Sequence, residues 1–309
     1  MKKRRRVKKG RLLLVILLMT IILLLLILGI KALFDNDDYS FNKNNLNINE
    51  LDYSEMKEFD FTLNSKAYML IRLNDFKVLY GHNINNRIYP ASLTKIVALD
   101  SIVRNINDFD ETSSITNEDY IELINENASI AGLKTNVEYS LKDLLYALVL
   151  PSGADASRAF EHYLAKDNLI LVDEMNKVVS ELNLTDSHFT NSSGLHDENL
   201  YTSLDDYCRI VIDTLLNNEG KAVLKSFEYT LEDGTHFNST LKALKRDDNI
   251  KTYGGKTGFT GEAGENIMIL YSCDNRSYML ILANADGNPY LGQNYHFNDV
   301  NKIFNYLYN

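Results

Sequence analysis

Strand-forming sequence lies at both ends of the globular part of this chain, and helical patterning fills the stretch between, which leaves few ways to build a sheet. Ala67-Tyr68-Met69-Leu70-Ile71-Arg72-Leu73 and Phe76-Lys77-Val78-Leu79-Tyr80 are apolar and aromatic runs separated by the turn residues Asn74-Asp75, and they predict a hairpin. Near the other end, residues 266–272 and 277–283 read as apolar strands joined by Cys273-Asp274-Asn275-Arg276, after a short glycine-rich strand over 253–259. Between these ends, Leu141, Leu144, Leu145 and Leu148 recur at helical spacing behind a capping box at Ser140 and Asp143. Pro151-Ser152-Gly153 stops that helix, and further helices are expected over 155–164 and 171–182. Another, capped at Ser203, should bury Leu204, Tyr207, Cys208, Val211 and Leu215, and a short helix over 300–308 closes the chain. A sheet assembled from these pieces must pair across the helical stretch, so the order predicts a sheet whose edges meet across the chain, with a helical subdomain inserted.

The N-terminus is of a different kind. Eight of the first eleven residues are Lys or Arg, and residues 12–30 then run without a charge, about the length that spans a hydrocarbon core. The basic block predicts a cytoplasmic N-terminus. The length of the run and the poor cleavage site at Lys31-Ala32-Leu33-Phe34 favour an uncleaved single-pass signal-anchor over a cleaved signal peptide. The expected division is a basic cytoplasmic segment 1–11, a transmembrane anchor 12–31, a polar linker 32–60 rich in Asn and Asp, and an extracytoplasmic domain 61–309. The net charge of −10 for the whole chain hides an asymmetry: the basic residues cluster before the anchor and the part after it is strongly acidic, which excludes nucleic acid as a partner of the domain. Cys208 and Cys273 read as two buried free thiols, so stability must come from a core. The six histidines lack metal-ligand spacing, and surface or loop roles are expected for most of them; no metal and no cofactor is expected.

Three short motifs carry the chemistry. In Tyr89-Pro90-Ala91-Ser92-Leu93-Thr94-Lys95, a helix starting near Ser92 puts Ser92 and Lys95 on one face, with the hydroxyl at the positive end of the helix dipole. Taken alone, this is an ordinary helix cap beside a solvated lysine. Ser152-Gly153-Ala154 comes next, in a loop between helices, and Lys256-Thr257-Gly258 comes last, in a strand after Gly254-Gly255. In that order and those contexts, the three are the signature of the penicillin-recognising serine enzymes.

The chain resembles the serine-type D-alanyl-D-alanine carboxypeptidases, low-molecular-mass penicillin-binding proteins of peptidase family S11. The likeness rests on the box around Ser92, on residues 144–156 around Ser152, on Phe189-Thr190-Asn191-Ser192-Ser193-Gly194-Leu195-His196-Asp197, and on Gly254-Gly255-Lys256-Thr257-Gly258-Phe259-Thr260. It implies a β-lactamase/transpeptidase-like α/β (α+β) fold, an antiparallel sheet flanked by helices with an inserted all-helical subdomain. It implies removal of the terminal D-alanine from peptidoglycan stem peptides, with covalent inhibition by β-lactams. Ser92 is then the acyl-ester nucleophile, Lys95 its general base and Ser152 a proton relay. Lys256 and Thr257 bind the substrate's carboxylate, and the charge of Lys256 lowers the pKa of Lys95. Gly258 leaves room for the peptide, and Ser92 with Phe259 or Thr260 supplies oxyanion N–H groups. The rival readings are an endopeptidase or β-lactamase on the same fold, or a non-catalytic peptidoglycan-binding homologue. One departure stands out: the family's second box ends in asparagine, here Ala154, and Asp155 or a water is left to take that amide's place.

Overall fold

The computed structural model describes Met19 and residues 50–231, 233–244 and 250–308. Apart from Met19, the expected basic segment, membrane anchor and linker as far as residue 49 lie outside the described residues. Among the described residues no helix is long and apolar enough to cross a membrane. The chain divides into units 1–40 and 41–309, and the sheet with its surrounding helices belongs to the second.

The expected hairpin is β1 (Ser65–Arg72) and β2 (Lys77–His82). A short 3-10 turn, Ala91–Leu93, leads into α1 (Thr94–Asn105). Then come β3 (Thr112–Ser113), α2 (Asn117–Asn125), β4 (Tyr139–Ser140), α3 (Leu141–Val149), α4 (Ala154–Ala165) and α5 (Leu171–Glu181). They are followed by α6 (Leu204–Leu216), α7 (Asn218–Leu224), β5 (Glu228–Thr230) and β6 (His236–Asn238). The chain returns to the sheet with β7 (Lys251–Thr260), β8 (Gly264–Cys273) and β9 (Arg276–Ala285), and α8 (Tyr295–Tyr308) comes after them.

The five strands pair in the order β2-β1-β9-β8-β7, and every pairing is antiparallel. The ends of the chain meet where β1 pairs β9, in register from Ser65 opposite Ala285 to Arg72 opposite Tyr278. Both faces are covered, which is why these strands are apolar at nearly every position and do not alternate. On one face Tyr68, Leu70, Ile267, Ile269, Tyr271, Leu280 and Leu282 form a core with Val300, Ile303 and Phe304 of α8. The intervening residues Met69, Ile71, Met268, Leu270, Met279 and Ile281 are buried on the other, where α6 packs on β1. The helix starts rest on local chemistry: Ser140 and Ser203 each accept the N–H three residues on, from Asp143 and Asp206, at 3.1 Å.

Three expectations are corrected. Residues 50–60 are not a free linker. Asp52 and Lys57 form parallel bridges to Lys77 and Tyr80 of β2, and the Phe59 ring stacks on Tyr80 at 4.1 Å. Their anchoring apolar residues, Leu51 and Phe59, are too far apart to give a periodic signal. The inserted subdomain is not all-helical, since β3 pairs β4 and β5 pairs β6 within it. The last helix begins five residues before the expected Val300, at Tyr295, where Glu265 of β8 accepts the His296 N–H at 3.0 Å.

Asp299 of α8, 1% exposed, holds the helix to the start of β1. It accepts from the Asn64 N–H (3.0 Å) and side-chain amide (2.8 Å), and from the Ser65 N–H and hydroxyl (both 2.7 Å). Asp299→Ala strands these donors, so urea unfolding should show a loss of about 3 kcal/mol; a loss below about 1 kcal/mol would mean that the donors find water.

Candidate active site

The Ser92 box is placed by its backbone. Ala91 adopts a left-handed φ of 49° and Ser92 lies in the 3-10 turn, so the α-helix starts at Thr94 and not at Ser92. The three-residue spacing still brings Lys95 Nζ to 3.3 Å from Ser92 Oγ. Three distant residues press on this turn. Asn266, fully buried on β8, donates its amide to the Tyr89 carbonyl and accepts from the Asn284 N–H, each at 2.9 Å. Gly194 has φ +80°, and a Cβ there would fall 2.0 Å from the Ala91 carbonyl oxygen. At Gly258 a Cβ would come within 3.0 Å of the Ser92 nitrogen. Both glycines are therefore sites of close backbone approach.

Lys95 is 1% exposed, and its ammonium also donates to the Ser193 carbonyl. That carbonyl is held in place because Asn191 Oδ1 accepts both the Gly194 N–H (2.7 Å) and the Ser193 hydroxyl (3.1 Å). Burial pulls the Lys95 pKa down to about 7, with the Asp155 carboxylate opposing. The expected cause, the charge of Lys256, is not the operative one at Lys95. The like-charge effect falls instead on Lys256, whose pKa drops well below the lysine value through burial first and the charge of Lys95 second. Lys256 is 1% exposed and donates to the Thr257 carbonyl at 2.8 Å.

Ser152 sits between α3 and α4 at φ 69°, with its carbonyl accepting from the Ser129 hydroxyl at 2.6 Å and its Oγ 3.4 Å from the same hydroxyl. Asp155 does not replace the missing amide. Its carboxylate is fully buried and accepts the N–H groups of Ala131, Gly132 and Leu133 at 2.8–3.0 Å, fixing the loop that carries Ser129. Ala154 instead lines a cavity of about 640 Å³, shared with Arg158 and Ser193.

A second cavity, of about 280 Å³, is lined by Ser92, Ser152, Lys256, Thr257, Gly258 and Phe259, with Lys95 buried beside Ser92, while Ala154 and Thr260 of the same motifs line the first. The Thr257 N–H points outward from the sheet edge to Thr240 Oγ1 (3.4 Å). N–H groups alternate sides along a strand, so the Phe259 N–H, and not that of Thr260, opens on the same side. Ser129, Asn266 and Thr240 carry no motif, and only the tertiary structure reveals them. Ser193 and Gly194 belong to a loop that the family likeness includes without giving either residue a role. His296, which belongs to none of the motifs, is buried on the wall of this cavity.

The chain matches the Peptidase_S11 family, D-alanyl-D-alanine carboxypeptidase, over residues 54–287. It belongs to that family. Among curated relatives, D-alanyl-D-alanine carboxypeptidase DacF of Bacillus subtilis is 33% identical over 209 residues, covering 64% of this chain and 52% of the relative. D-alanyl-D-alanine carboxypeptidase DacA of Escherichia coli K12 is 28% identical over 245 residues, covering 75% and 58%. The chain thus spans little more than half the length of these relatives. The fold is that of the Streptomyces K15 DD-transpeptidase, with a TM-score of 0.70 at 22% identity over 80% of this chain and 98% of that one. Penicillin binding protein 5 from Haemophilus influenzae is also similar, with a TM-score of 0.68 at 23% identity over 80% and 70%.

The space beside Ala154 makes a direct test of the family's missing amide. Ala154 is 1% exposed at the border of that cavity, so Ala154→Asn should fold with a loss of no more than about 2 kcal/mol if its amide reaches the open space. Thermal unfolding checks this, and a loss beyond about 2 kcal/mol would show that the region has repacked around alanine.

Proposed function

We propose that the chain is a serine D,D-carboxypeptidase that removes the terminal D-alanine from peptidoglycan stem peptides through an acyl-enzyme on Ser92. The observation that carries this reading is a dry lysine, with a pKa of about 7, 3.3 Å from a half-buried serine on the wall of a cavity. Near neutral pH about half of such lysines are unprotonated. A neutral Lys95 takes the Ser92 proton as Oγ attacks the carbonyl between the two D-alanines. The N–H groups of Ser92 and Phe259 receive the developing oxyanion. Ser152 passes a proton to the leaving amine, and water then hydrolyses the acyl-enzyme. Lys256 and Thr257 take the substrate's terminal carboxylate. An arriving carboxylate favours the charged form of Lys256, and that charge in turn holds Lys95 neutral. Binding and activation of the nucleophile are coupled in this way.

The charge-free run over residues 12–30 behind its basic block supports an N-terminal membrane anchor with the catalytic domain on the extracytoplasmic side, where peptidoglycan lies.

Labelling with a fluorescent penicillin and D-alanine release from a peptide ending in D-Ala-D-Ala test the activity. Wild-type protein should do both and Ser92→Ala neither; acylation of the variant would mean another nucleophile, and wild type inert in both assays would overturn the enzyme reading. Because the folded pKa of Lys95 lies near 7, the acylation rate should fall about tenfold per pH unit below 7, as the base protonates, and level off above it. A flat profile between pH 5 and 7 would remove Lys95 from the role of base.

A further inference from the structure

Ser192 lies outside the three motifs, yet its hydroxyl is buried and held from two sides. The residue is 3% exposed. Its Oγ donates to Glu161 Oε1 at 2.5 Å and accepts from the Ser157 hydroxyl at 2.6 Å. Ser157 and Glu161 are four apart on α4, so they present one face to the loop that carries Ser192. Ser157 is itself buried. Glu161 is steadied through its other oxygen by Arg158 at 3.1 Å, and Arg158 also pairs with Glu122 of α2 at 3.6 Å.

Ser192 directly precedes the residue whose carbonyl accepts from Lys95. Other side-chain ties of this loop lie at its start or within it. Asn176 of α5 accepts the Phe189 N–H at 3.0 Å and donates to the Phe189 carbonyl at 2.8 Å, while Asn191 bonds Ser193, Gly194 and Leu195. The clasp on Ser192 ties the middle of the loop to α4. Two properties of Lys95 depend on that tie. A neutral amine has one lone pair, and its direction follows from where the N–H groups are given. An N–H given to Ser193 leaves the lone pair free for Ser92 Oγ, 3.3 Å away. The loop is also part of what keeps Lys95 dry. Gly194 stands against Ala91, and Ser193 lines the cavity of about 640 Å³, so a carbonyl that swung away would let water from that cavity reach the lysine. Among the described residues, the charged groups coupled to Lys95 are Asp155 of α4 and Lys256 of β7, so Glu161 reaches it through the loop and not by its own field.

We propose that Ser192, clasped by Ser157 and Glu161, is a positioning residue of the acylation step: it holds the Ser193 carbonyl on Lys95, which aims the lysine at Ser92 and keeps it enclosed. The proposal rests on the D,D-carboxypeptidase reading and deepens it by carrying the support of the base out to a partly exposed carboxylate on α4. Enclosure is the main cause of the low pKa of Lys95, so loosening the loop returns the lysine toward its ordinary range and leaves it protonated at neutral pH.

The rate of acylation by a fluorescent penicillin, followed from about pH 5 to about pH 9 in the full-length protein, separates this from a structural role. In Ser192→Ala the midpoint of the rise with pH should move up by about one pH unit or more, which lowers the rate at pH 7 by at least about fivefold. Glu161→Leu should move the midpoint in the same direction, and it carries the test if Ser192→Ala fails to fold, because position 161 is partly exposed. Glu161→Gln, which keeps an oxygen to accept the Ser192 hydroxyl, should stay within about twofold of wild type at pH 7. A midpoint that stays near that of wild type, or moves lower, in Ser192→Ala and Glu161→Leu overturns the proposal, whatever the change in thermal stability, and leaves the enzyme reading intact. A glutamine variant as impaired as the leucine one overturns the hydrogen-bonded route. Wild-type protein that penicillin does not label overturns the enzyme reading, and the role of Ser192 with it.

Discussion

The site depends on keeping one lysine dry. An ammonium taken out of water costs several kcal/mol unless its surroundings compensate, and a lysine can escape that cost by giving up its proton. Lys95 sits at that balance: fully enclosed, offered a carbonyl by Ser193 and a hydroxyl by Ser92, and held near a pKa of about 7 by burial working against the field of Asp155. Were it solvated it would stay charged at neutral pH. The same enclosure acts on Lys256, where the charge of Lys95 adds to the effect of burial.

Keeping that lysine dry while leaving Ser92 within reach of a ligand requires segments far apart in sequence to close around one turn. The loop at 191–194 comes so near that position 194 has no room for a side chain, and β7 approaches so near that position 258 has almost none. Asn266 ties the residue before Pro90 to two strands at once, and Asp155 gathers three backbone N–H groups to fix the loop bearing Ser129. These contacts are hydrogen bonds to buried polar groups, each of which would cost about 1–3 kcal/mol if left unsatisfied, so they specify the site's shape as well as contributing to its stability.

The sheet supplies the rigid side of the cavity. Because it is covered on both faces, by α8 on one and by helices of the insert on the other, β7 can stand at its edge with an N–H row open to a ligand while the rest of the strand ladder is satisfied. That edge is also where the two faces meet, which is how Lys256 and His296, on opposite sides of the sheet, border a single cavity.

Local sequence determined much of this. Four helices of the insert, over 141–149, 154–165, 171–181 and 204–216, came from apolar spacing and from Ser140 and Ser203 as caps, the sheet strands from apolar or glycine-rich runs, and the candidate site residues Ser92, Lys95, Ser152 and Lys256 from three motifs of a few residues each. Signals of that kind are encoded within a few residues. The sequence did not determine that residues 50–60 pack along β2, that α8 begins at Tyr295 under Glu265, that Asp155 serves the backbone and not the missing amide, or that Lys95 owes its lowered pKa to burial more than to a neighbouring charge. Each of these depends on which groups come together across about 20 to about 100 residues of chain, and on how much water they exclude once there. Those are properties of the assembled fold, and no short stretch of sequence records them.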